Sequence, residues 1–150
     1  MCGPAVLKEH LINHARTFIF STALPPYFAE QVKTAIKLAS AMDVERQALL
    51  GRASGLVLAL RHQGFETAGS NSQIVPVVLG KNEDTLQAAE YLQKEGFAVR
   101  AIRPPTVPVG GARLRLSLTT RIAEEELVRL VKSLVTWRAH KSARLAAGHV

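Results

Sequence analysis

The sequence predicts an α/β fold of two parts: long helices in the first 64 residues, then a small mixed sheet with helices on one face. Three observations carry this. Apolar residues recur at helical spacing through residue 64. Short β-branched or alternating runs appear only after residue 72. Between them stands GSNS (69–72), the chemistry of a loop.

Taken in order, Pro4 sets the first turn of a helix over AVLKEHLINHART, with Val6, Leu7, Leu11 and His14 on one face. It must end before Pro25 and Pro26. A second amphipathic helix runs from Tyr27 to Met42 on Phe28, Val32, Ala35, Ile36 and Ala39. Asp43 is placed to cap a third, VERQALLGRASGLVLALRHQG, which Gly64 closes. QIVPVVLG reads as a strand. NEDTLQAAEYLQKEG reads as a helix capped by Asn82 or Asp84 and closed by Gly96. FAVRAI is a second strand, RPPTVPVGGA a stiff loop and RLRLSL a third strand. The last helix covers RIAEEELVRLVKSLVTWRAH, its early carboxylates and late cations suiting the helix dipole. Three segments follow: a helical lead at 1–64, a small α/β domain at 65–135 and a C-terminal tail at 136–150. No strand precedes the first helices to bury their apolar faces, so Met1 is expected to lie inside a larger fold.

Composition narrows the function. The net charge is +7, yet residues 1–99 hold nine basic and nine acidic side chains. The excess lies after residue 99, where ten Lys/Arg face only Glu124, Glu125 and Glu126. Aromatics are 5% of the chain and none interleaves with the basic residues, which argues against nucleic acid as a partner. No apolar run reaches the length of a membrane span, and the first residues lack the layout of a secretory signal, so a cytoplasmic protein is expected. Cys2 has no second cysteine to pair with. His10 and His14 stand four apart without a third ligand and read as surface or interface histidines. No phosphate-cradling spacing surrounds Gly51, Gly55 or GKNEDT. The Glu124–Glu126 run suits a helix start, and no metal site is expected.

Two motifs carry chemistry. In RPPTVPVGGARLRLSL (103–118), prolines stiffen one end of the loop and glycines free the other. Strand alternation puts Arg113 and Arg115 on one face and Leu114, Leu116 and Leu118 on the other. Such arginines can fork onto a carboxylate or simply form a solvated face. In FIFSTALPP (18–26), Ser21 and Thr22 put two hydroxyls between an apolar run and a proline turn.

Together, these stretches and the interval between them resemble the C-terminal part of the α-oxoamine synthases, pyridoxal-phosphate enzymes of fold type I, most closely the members that serve biotin biosynthesis. The resemblance extends to about Val135. It implies the C-terminal domain of such an enzyme: a homodimeric acyltransferase that condenses L-alanine with pimeloyl-CoA, or the pimeloyl carrier-protein thioester, and releases CO2. It further implies that Ser21 and Thr22 reach the cofactor phosphate of the neighbouring subunit, that Arg115 pairs with the amino-acid carboxylate and that Thr106 contacts substrate. Arg103 and Arg113 take structural or surface roles. The family forms its cofactor imine on a lysine in a glycine-containing segment upstream. Nothing before Ser21 resembles that segment, and Lys8 lies in a helix pattern. The chain alone is therefore expected to hold no catalytic lysine and to be inactive. Glycine-using relatives, and a freestanding basic interaction module, are the alternatives.

Overall fold

A computed structural model describes residues 3–22 and 24–147; Cys2 and the last three tail residues lie outside them. The chain forms two compact units, 1–42 and 43–150.

The first unit holds α1 (Ala5–His14), α2 (Arg16–Ile19) and α3 (Pro26–Ser40). The expected single opening helix is broken: Ala15 is extended (φ −78°, ψ 102°), ending α1 and starting α2. The His10 and His14 rings stack 4.2 Å apart, one turn from each other along α1. Pro26 opens α3, where a missing N–H costs no helical bond. Neither α1 nor α3 buries any residue.

The second unit contains α4 (Asp43–His62), β1 (Ile74–Gly80), α5 (Asn82–Lys94), β2 (Arg100–Ile102), β3 (Ala112–Ser117) and α6 (Glu124–Ala147). The strands order as β1-β3-β2. Both ladders are antiparallel, so the sheet is not mixed as the sequence suggested. Val75 faces Leu116 and Val77 faces Leu114, and these four side chains are buried. Helix α5 packs on all three strands, α4 on β1, and α6 on α4 and α5. The core joins Leu56 and Leu60 of α4, Ala88 and Leu92 of α5, and Leu130, Leu134 and Trp137 of α6 to the buried strand residues. Removing that apolar surface from water is the main driving force for the unit.

Local chemistry explains the remaining departures. The Phe65 N–H donates to Leu60 O and the Phe97 N–H to Leu92 O, closing α4 and α5 through Gly64 (φ 75°) and Gly96 (φ 89°). Because Phe97 and Val99 are occupied by this turn, with the Val99 N–H on Phe97 O, the strand expected over FAVRAI shortens to its last three residues. Helix α5 has no side-chain cap; Lys81 holds the cap position, and Thr85 Oγ1 donates to the Lys81 carbonyl at 2.8 Å. Pro76 survives inside β1 because β1 is an edge strand. The Val78 N–H turns outward to Glu66 O at 2.8 Å, so the position two residues earlier also faces away from the ladder.

The segment read as a tail is helical through Ala147. Trp137 is 7% exposed within the core, and Lys141 pairs with Asp84 of α5. The helix α4, grouped by the sequence with the helical lead, lies in the 43–150 unit and supplies its core.

Candidate functional site

The loop between β2 and β3 is closed by a backbone hydrogen bond at each end. Pro104–Pro105 is a cis peptide, and the Thr106 N–H donates to Arg103 O at 3.0 Å. At the far end the Gly111 N–H donates to Pro108 O at 2.9 Å, and Arg113 Nε donates to Gly111 O at 2.8 Å. A Cβ at Gly111 would stand 3.0 Å from both Pro108 O and Arg113 Nη2, a crowding that glycine avoids where the loop closes onto β3. Val109, at the tip, is 94% exposed.

This loop delivers the chain into β3, whose alternation follows the sequence expectation. Ala112, Leu114 and Leu116 are buried, whereas Arg115 and Ser117 are exposed. Arg113 is half-buried and spent on the loop carbonyl, consistent with a structural role. Arg115 is exposed on the central strand, and its side chain makes no hydrogen bond or ion pair among the described residues. Its register neighbours are Pro76 on β1 and Arg100 on β2. Thr106, also exposed, belongs to the same unit.

Ser21 and Thr22 lie in the first unit, between α2 and α3, both exposed. Two adjacent hydroxyls ahead of a proline-opened helix suit an oxyanion such as a phosphate, to which hydroxyls donate. They cannot form an imine.

Arg100 was missed by sequence reasoning. Alternation puts Arg100 and Ile102 on one face of β2, but only the pairing register sets Arg100 against Arg115. Much of the basic excess after residue 99 is structural. Arg129 stacks on Phe97 at 4.1 Å and donates to Glu95 O; Arg138 stacks on Phe65 at 4.2 Å; Lys141 pairs with Asp84. Among the described residues, no three His, Cys, Asp or Glu side chains gather as a metal site, and no helix is long and apolar enough to cross a membrane.

The family model for aminotransferase class I and II matches residues 1–134. Curated proteins named 8-amino-7-oxononanoate synthase align with it: that of Desulfosudis oleivorans is 39% identical over 91% of this chain and 35% of its own length, and that of Bordetella parapertussis 38% over 95% and 36%. The chain thus spans about a third of the length of these relatives. Among solved structures, 8-amino-7-oxononanoate synthase from Francisella tularensis superposes with a TM-score of 0.81 at 20% identity, over 94% of this chain and 41% of that one. Serine palmitoyltransferase from S. paucimobilis with a bound PLP–myriocin aldimine has a TM-score of 0.78 at 26% identity, over 87% and 34%. With the family model covering the two helical and sheet-bearing units up to the middle of α6, this chain belongs to the aminotransferase class I and II family.

Proposed function

We propose that these 150 residues are the C-terminal part of a pyridoxal-phosphate-dependent α-oxoamine synthase that condenses L-alanine with a pimeloyl thioester, on CoA or a carrier protein, to give 8-amino-7-oxononanoate, CO2 and the free thiol. The observation that carries this reading is Arg115: an exposed guanidinium with no side-chain partner among the described residues, held on a central strand by a stiff loop, within a chain whose curated relatives carry that name.

Bound pyridoxal phosphate supplies the electron sink that carbanion chemistry requires. The residues of this chain bind and orient. Arg115 forks onto the amino-acid carboxylate and fixes the direction of the bond that loses CO2. Thr106 offers its hydroxyl to substrate. Ser21 and Thr22 donate to the cofactor phosphate, reaching it across a homodimer interface. The imine-forming lysine is supplied outside these residues, so the chain on its own turns over nothing. The helices of the 1–42 unit lead in from the large domain, and the enzyme works in the cytoplasm. A basic interaction module is the weaker reading, because Arg113, Arg129, Arg138 and Lys141 are committed to contacts within the fold.

The test is CoA release by the enzyme that carries this sequence, with pimeloyl-CoA and L-alanine, glycine or L-serine in turn. Release with alanine foremost, and none from the 150-residue chain by itself, is the expected result. Preference for glycine or serine would replace the substrate assignment; turnover by the chain alone would overturn the account of the lysine.

A further inference from the structure

On the sheet face away from the helices, β2 and β3 contribute Arg100, Ile102, Arg113, Arg115 and Ser117. Arg100 and Arg115 are register partners on adjacent antiparallel strands, both exposed. Residues so placed have Cα atoms about 4.5–5.5 Å apart, and like charges directly opposite one another destabilise the sheet. Neither arginine side chain has a hydrogen bond or ion pair among the described residues, and the other register neighbour of Arg115 is Pro76. The acid that strand pairing brings to this sheet, Glu66, sits opposite Val78, in the row of Arg113 rather than that of Arg115.

We propose that Arg100 is a second carboxylate-binding residue, forming with Arg115 a paired-guanidinium site in which each arginine takes one carboxylate oxygen. The proposal rests on the reading of Arg115 above and adds a residue that the motif does not contain. A bound anion removes the cross-strand repulsion, so the arrangement is strained when empty and relaxed when filled. Arg113 stays out of the site because the Gly111 carbonyl already holds its Nε.

The experiment titrates the enzyme carrying this sequence with sodium acetate at constant ionic strength, balanced by chloride, and follows the arginine Nε–H signals by NMR. Arg100→Ala and Arg115→Ala identify the two signals. Both are expected to shift along one binding curve. Arg100→Ala should weaken acetate binding about fivefold, the upper end for an exposed ion pair, and Arg100→Lys should restore part of it. Arg100→Lys also keeps the test valid if the alanine variant fails to fold. Movement of the Arg115 signal alone, with affinity unchanged in Arg100→Ala, overturns the proposal and leaves the Arg115 reading intact. Equal shifts with chloride and acetate, or no shift in either signal, overturn both.

Discussion

Arg115 and Gly111 show how single residues shape the site. Gly111 is the residue whose lack of a side chain lets Pro108 O and the Arg113 guanidinium approach the backbone together. Gly111→Ala is expected to destabilise the unit by about 1–3 kcal/mol, the range for forced overpacking, read as a lower urea midpoint with an unchanged slope. At the other motif, Ser21→Ala and Thr22→Val each remove a hydroxyl proposed to face the cofactor phosphate. In the enzyme carrying this sequence, either should raise the dissociation constant of pyridoxal phosphate about fivefold, from a lost hydrogen bond of about 1 kcal/mol, measured by equilibrium dialysis. Unchanged retention in both variants would remove these hydroxyls from the phosphate site. Neither role is legible from periodicity: Thr106, Arg115, Ser21 and Thr22 stand out because two motifs resemble a known family, whereas Arg100 lies outside both motifs.

Among the elements, those set by local chemistry were readable and those set by distant pairing were not. The alternation of RLRLSL announces β3 and its buried leucines, and the Gly96 closure announces the end of α5. The antiparallel pairing depends on which strands meet, which no local pattern encodes, while β2 is short because the turn that closes α5 takes up Phe97 and Val99. The end of α6 was misread because WRAHKSARLAAGHV carries scattered cations and one large apolar residue. That residue, Trp137, is buried against the core, and Lys141 reaches across to Asp84. Trp137→Ala should therefore cost about 3–5 kcal/mol, as for a large aromatic removed from a packed site, and truncation after Val135 should unfold the 43–150 unit. Far-UV circular dichroism during urea unfolding checks both; a truncated chain that unfolds at the same midpoint would show that this part of α6 adds nothing.

At the scale of the whole molecule, the two units differ in how they handle apolar surface. The 43–150 unit encloses a continuous core, while α1 and α3 bury no residue and Phe28, Val32 and Ile36 line an open apolar groove on α3. Exposed apolar faces of this kind mark surfaces that other protein covers. The 150-residue chain is accordingly expected to self-associate, and sedimentation velocity over a range of concentrations should show a rising average mass; one concentration-independent monomer would contradict this. The account as a whole depends on the substrate carboxylate being held by β3. Its most direct test is the kcat/KM for L-alanine of the enzyme carrying this sequence, compared between wild type and Arg115→Ala. A fall of about a hundredfold, what losing a charge-assisted pair of about 2.7 kcal/mol predicts, is the expected result. An unchanged kcat/KM in a folded, cofactor-loaded variant would contradict it.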